Sequence, residues 1–133
     1  MSVKRFGVSL EDGLLDELDK FVKDNQFPNR SQGIRYLIEN NLVEKKWNSN
    51  DVVAGAVVVV YDHHKNDINN RMNEVQHDYY SLILSTQHIH LDHDLCLESI
   101  AVKGKAYELR ELADKIIALK GIKHGKLVMS RAD

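Results

Sequence analysis

Residues 86–102 read TQHIHLDHDLCLESIAV, and the way this stretch folds decides the architecture of the second half of the chain. Thr86 to Leu91 alternates in polarity, Cys96 to Val102 alternates again, and Asp92-His93-Asp94 separates the two runs. Two alternating runs around a short polar break predict a β-hairpin. Outward from it, residues 67–85 carry Ile68, Met72, Val75, Tyr79 and Leu82 at helical spacing. Residues 106–119 do the same through Leu109, Leu112, Ala113, Ile116 and Ile117, with Gly121 placed to cap the helix. Residues 52–61, VVAGAVVVVY, are β-branched and nearly all apolar, as a strand buried on both faces requires. A last strand is expected over 123–130. The order is βαββαβ, the ferredoxin-like (ACT-type) split arrangement, so the expected fold class is α+β.

The preceding residues are organised differently. Residues 3–10, VKRFGVSL, place Phe6, Val8 and Leu10 on one side and Arg5, Gly7 and Ser9 on the other, the pattern of a half-buried strand. Leu14, Leu15, Leu18, Phe21 and Val22 predict an amphipathic helix over 12–25. After the only proline, Pro28, Asn29 with Gln32 three residues on resembles a capping box, and Ile34, Leu37, Ile38 and Leu42 carry an apolar stripe to about Lys45. One strand and two short helices in under 50 residues cannot bury a sufficient core, and a lone strand leaves its edge unpaired. Both problems vanish if two chains dimerise with their strands antiparallel. That arrangement resembles the ribbon-helix-helix modules, whose two-stranded ribbon enters the DNA major groove. By that resemblance Arg5, Gly7 and Ser9 face the bases, with Arg5 suited to guanine, while Asn29, Arg30 and Ser31 at a helix N-terminus hold a backbone phosphate. The polar Asn48–Asp51 stretch reads as a linker, giving domains at 1–47 and 52–133.

Bulk properties narrow the classes. The chain has 133 residues, net charge -2, 43% hydrophobic and 29% charged residues, a globular balance. Its first 47 residues hold eight Lys/Arg against eight Asp/Glu, so any DNA affinity must come from a few placed cations and from dimer doubling. No apolar run approaches a membrane span. The N-terminal residues show no secretory pattern, and a single cysteine, Cys96, fits a reducing cytoplasm.

Chemistry concentrates in the hairpin. His88 and His90 stand two apart on a strand and therefore project from one face, and Cys96 opens the partner strand. Two imidazoles and a thiolate make three ligands to a late first-row metal, and His77, on the helix before the hairpin, supplies a fourth from the same or a neighbouring chain. A flat array of three nitrogens and one sulfur suits Ni(II) or Cu(II), and a tetrahedral one suits Zn(II). A copper or zinc sensor, or an amino-acid sensor with incidental histidines, remains an alternative from the residues alone. A metalloenzyme is not expected, because four protein ligands leave no open position. His63, His64, His93 and His124 read as surface or structural.

The stretches NRSQGIR (29–35), VVYDHH (59–64), QHDYYSLILSTQHIHLDHDLCLE (76–98) and KGIKHGKLVM (120–129) resemble the NikR family of nickel-responsive transcriptional regulators along essentially the whole chain. The resemblance implies Ni(II), one per subunit, bound by His88, His90 and Cys96 with His77 donated by another subunit. It also implies a homotetramer built as a dimer of dimers, binding a palindromic double-stranded operator and repressing nickel-uptake genes. Tyr61, Gln76 and Glu98 fall beside the ligands in the matching motifs and are expected to orient them. Gln32 and Tyr36 stand where some relatives carry carboxylates for an auxiliary cation, so that site is not carried over.

Overall fold

The computed structural model describes residues 2–133 and divides into two compact units, one ending at Asn41 and one running from Leu42 to Asp133. The division falls inside a helix rather than in the polar 48–51 stretch.

In the first unit, α1 spans Asp12–Asp24 and α2 begins at Arg30, continuing to Asn48. Asp12 lies in the first turn of α1 and Lys23 in its last, each favourable to the helix dipole. The turn between the helices uses a left-handed residue, Gln26 at φ 57°, and Asn29 Oδ1 accepts the Gln32 backbone N–H at 2.9 Å as the cap of α2. Phe21, Phe27 and Tyr36 pack as a trio with ring centroids 5.2–6.0 Å apart. Gly33 lets α2 pass close to α1, since a Cβ there would stand 2.7 Å from Val22 Cγ2 and force that side chain to shift. The strand expected over 3–10 is not formed in the single chain. The segment has no sheet partner among the described residues, and a strand without an edge to pair with gains no ladder hydrogen bonds.

In the second unit β1 (Val52–Asp62), α3 (Ile68–Asp78), β2 (Ile83–His90), β3 (Leu95–Lys105), α4 (Ala106–Ile117) and β4 (Ile122–Arg131) follow the expected βαββαβ order. The four strands form one antiparallel sheet in the order β2-β3-β1-β4. With its helices this gives an α+β protein. Helix α3 is shorter than the apolar spacing predicted: it stops at Asp78, Tyr80–Leu82 make a single 3₁₀ turn, and Ile83–Ser85 join β2. Leu82 belongs to the core, but as the turn that feeds the strand.

Alternation decides which side of the sheet is dry. Val53, Val57 and Val59 of β1 and Ile100 and Val102 of β3 are fully buried with Leu109, Leu112 and Ile116 of α4 and Ile68 and Met72 of α3. The alternate positions stay partly open: Val58, Val60 and Leu97 are half-buried, and Ile89 and Val128 are exposed. Trp47, read from the sequence as the edge of a linker, is fully buried in this unit. Its Nε1 donates to the Ser130 carbonyl at 2.8 Å, and Arg110 lies 5.6 Å over its ring. The last turns of α2 therefore serve the second core.

Candidate metal centre

Strand register builds the site. Across β2 and β3, His90 pairs with Cys96 and His88 with Glu98; across β1 and β3, Tyr61 pairs with Cys96. These residues all share the face that carries the buried valines, because paired positions in a sheet point the same way. At the end of β1 the chain turns, and the His63 backbone N–H donates to the Asp94 carbonyl at 3.2 Å, stitching this turn to the tip of the β2–β3 hairpin.

Cys96 is fully buried, with His63 Nδ1 at 3.0 Å and His90 Nδ1 at 3.4 Å from its Sγ. The three donor atoms lie within 4.8 Å of one another. Donors bonded to one ion at about 2.0–2.3 Å stand roughly 3.0–3.6 Å from each other, so the spacing and the thiol–imidazole chemistry fit a borderline-soft divalent cation. Burial pushes the Cys96 thiol above its ordinary pKa, and the charges of Asp62, Glu98 and Asp92 add to the shift. A metal-free site of this kind holds a thiol; a bound cation reverses the balance and takes the thiolate.

His88 is held separately. Its Nδ1 stands 3.2 Å from Glu98 Oε1 and 3.3 Å from Tyr61 Oη, and its ring centroid is 5.2 Å from that of His90. Glu98, nearly buried, also accepts from Tyr61 Oη at 2.7 Å and from Gln76 Nε2 at 2.6 Å, while Thr86 Oγ1 donates to Gln76 Oε1 at 3.0 Å. Three elements thus converge on one carboxylate. Burial first, and then the Glu98 hydrogen bond and charge, raise the Tyr61 phenol, which stays a donor. With Nδ1 against Glu98, the other ring nitrogen of His88, Nε2, is the one left without that contact.

Of the sequence-predicted ligands, His90 and Cys96 are in contact and His88 is next to them, whereas His77 sits at the exposed end of α3, outside the group around Cys96. The third close donor is His63, expected from the sequence to be a surface or structural residue. His63 is half-buried against the thiol, so of those two readings the structural one fits its position. The doublet His63-His64 directly after a buried strand was the available signal. His64 and His93 with Asp94 form a second group within 4.8 Å, on the exterior. His124 is an exposed residue of β4.

The residues expected at DNA lie in the first unit. Arg5, Gly7 and Ser9 are exposed in the segment before α1, and Ser31 is exposed in the first turn of α2. Asn29 spends its side-chain oxygen on the helix cap. Arg30 makes a two-point ion pair with Asp19 on α1, Nε–Oδ1 at 2.7 Å and an Nη–Oδ2 contact at 2.9 Å, so its guanidinium is committed within the unit. No helix among the described residues is long and apolar enough to cross a membrane.

The chain is similar to known proteins. Residues 54–130 match the family described as the NikR C terminal nickel binding domain. A nickel-responsive regulator of Syntrophus aciditrophicus is 48% identical over 96% of this chain and 93% of its own length. One from Desulfovibrio desulfuricans is 50% identical over 93% of this chain and 90% of its length, and one from Chlorobium phaeobacteroides is 45% identical over 98% of each. An uncharacterized protein from Thermotoga maritima superimposes with a TM-score of 0.54 at 15% identity, over 59% of this chain and 98% of that one, a likeness of fold.

Proposed function

The chain belongs to the family of nickel-responsive regulators, which are not enzymes, and from that premise we propose that it is a nickel-dependent, sequence-specific DNA-binding repressor of nickel-uptake genes. In this reading each subunit holds one Ni(II) through His88, His90 and Cys96, with His77 supplied by another subunit of a homotetramer. The observation that carries it is the pairing of His90 with Cys96 across β2–β3, Sγ to Nδ1 at 3.4 Å, beside a His88 whose other nitrogen is taken by Glu98. When bound, the ion supplies the charge that stabilises the thiolate and the bonds that join one chain to the next. Glu98, itself fixed by Tyr61 and Gln76, orients the His88 ring. His77, on an exposed helix end, carries the ligation outward, and fixing it orders the end of α3.

DNA binding in this reading belongs to the first unit as a ribbon-helix-helix dimer. An open apolar groove of about 580 Å³ supports it, with Phe6, Val8, Leu10, Leu14, Leu18 and Ile34 among its lining residues. Pairing two copies of residues 3–10 covers that groove and presents Arg5, Gly7 and Ser9 to a palindromic operator, with Asn29, Arg30 and Ser31 at the backbone. The partly open apolar face of the sheet, Val58, Val60, Leu97, Ile89 and Val128, is a surface on which second units can join the dimers into a tetramer.

One observation favours a second ligand set. His63, at 3.0 Å from Sγ, stands closer to the thiol than His90 does, so His63, His90 and Cys96 can hold an ion within a single chain. The test is a Ni(II) titration of apo protein followed by absorption, with Cys96→Ala, His63→Ala and His88→Ala beside the wild type, then operator binding with and without nickel. A thiolate-to-nickel band that vanishes in Cys96→Ala and His88→Ala but survives in His63→Ala supports the shared site. Loss in His63→Ala with survival in His88→Ala assigns the single-chain set. A band that persists without Cys96, or operator binding indifferent to nickel, overturns the reading.

A further inference from the structure

On the other side of the His63-His64 turn, the side chains of His64, His93 and Asp94 converge. Asp94 Oδ1 lies 3.1 Å from His93 Nδ1 and 3.8 Å from His64 Nε2, and all three donors fall within 4.8 Å of one another. The two imidazole rings stand 5.8 Å apart at 32°, so both can direct a nitrogen toward the same point. Cis ligands on one ion, with bonds of about 2.1 Å, stand roughly 3.0–3.4 Å apart, so a small side-chain rotation suffices to close the group.

The backbone beneath them is fixed. Asp92 Oδ1 accepts the N–H groups of Leu95 at 2.7 Å and Asp94 at 2.9 Å, and those bonds lower its carboxyl pKa from the ordinary value. The His63 N–H to Asp94 carbonyl bond at 3.2 Å then sets the strand end that bears His64 against the hairpin tip that bears His93 and Asp94. The three donors come from two segments that this fold brings together, and their side chains stay open to water: those of His64, His93 and Asp94 are 52%, 91% and 61% exposed.

We infer that His64, His93 and Asp94 form a second divalent transition-metal site in each chain, open to water, taking Ni(II), Cu(II) or Zn(II) more weakly than the thiolate site. Two neutral imidazoles and one carboxylate are the ligand types that these borderline cations accept, while calcium and magnesium select oxygen donors. Exposure leaves the remaining coordination positions to water and keeps affinity low, because three flexible side chains must be ordered without the gain of a dry site. The site lies next to the first, His63 and His64 having ring centroids 3.8 Å apart. A cation held here is one residue away from the histidine that touches Cys96.

The test is equilibrium dialysis of the full-length apo protein against Ni(II) alone. The wild type is expected to bind two equivalents per chain, the second at least a hundredfold more weakly. The His64→Ala/His93→Ala variant should lose only the weak equivalent, and Asp94→Asn, which leaves the backbone acceptor in place, should weaken it about tenfold. Cys96→Ala should lose the tight equivalent and keep the weak one, which separates failure of this inference from failure of the thiolate assignment. Saturation of the wild type at one equivalent, retention of both by the double variant, or loss of the weak equivalent in His124→Ala overturns the proposal.

Discussion

The two units of the chain solve the problem of burying apolar surface in opposite ways. Leu42–Asp133 closes a core of valines, isoleucines and leucines between one sheet face and two helices, with Trp47 sealed into it. In residues 2–41 the only buried position is Gly33, while Val3, Phe6 and Val8 are 91%, 75% and 60% exposed. A unit of that size with no dry interior cannot offset the entropy of ordering its own backbone. The lesson is that the first unit leaves its apolar side chains exposed in a single copy, whereas the second closes a core and carries the candidate site on its rim.

The largest effect should come from attacking the unfinished half. Val8→Glu changes an exposed side chain in the single chain but buries an unpaired carboxylate in the proposed ribbon, a cost no dimer of this size absorbs. We expect the helical signal of the first unit and operator binding to be lost together, with the unfolding transition of the second unit in place. Retention of operator binding would show that the groove is not the dimer contact.

Next in size is Trp47→Ala, which should cost the second unit about 3–5 kcal/mol, the range for removing a large buried aromatic side chain. Urea unfolding measures it. A change below about 1 kcal/mol would mean that the end of α2 is a linker after all, as its polar neighbours suggest, and that the contrast between the units is overstated.

What the sequence made legible follows from periodicity. Alternation in 86–91 and 96–102 places His88, His90, Cys96 and Glu98 on one sheet face, because strand geometry allows no other outcome once the hairpin forms. The helical spacing of Leu109, Leu112 and Ile116 likewise identifies the buried face of α4. Three features had no such signal. His63 reaches Cys96 only because the His63–Asp94 backbone bond folds the end of β1 onto the hairpin, a contact between segments distant in sequence. Trp47 depends on a carbonyl at Ser130. The end of α3 at Asp78 is set by the 3₁₀ turn that delivers Leu82 to the core, where apolar spacing alone continues the helix. The strand expected over 3–10 marks a different limit, since no edge among the described residues pairs with that segment.

A smaller effect separates orientation from charge at the metal centre. Glu98→Gln turns one of the two carboxylate oxygens into an NH2 group, so either the His88 and Tyr61 side or the Gln76 donor loses its acceptor. Loss of such a supporting hydrogen bond should lower nickel affinity roughly 10- to 100-fold. The same change removes one of the carboxylates that, after burial, raise the Cys96 thiol, so the thiol pKa of the apo variant should move down toward its ordinary value. A more easily formed thiolate with weaker nickel binding is the signature of an orienting role. If the thiol pKa fell while nickel affinity held or rose, Glu98 would be acting only as a neighbouring charge.

The smallest effect returns to the first unit. Arg30 and Asp19 form an exposed ion pair, and the Arg30 hydrogen bond holds the Asp19 carboxyl below its usual range. A depressed carboxylate contributes stability at neutral pH that is lost as pH falls through the lowered value, and exposure to solvent keeps the contribution small. Asp19→Asn should therefore leave the unfolding midpoint almost unchanged at neutral pH and flatten its decline in acid. The informative readout is DNA. If Arg30 is a backbone contact, releasing it from Asp19 should tighten operator and random DNA alike and steepen the salt dependence by about 0.9 in log–log slope, the signature of one more phosphate neutralised. An unchanged slope would leave Arg30 as a brace between α1 and α2, and the phosphate contact to the cap at Asn29 and Ser31.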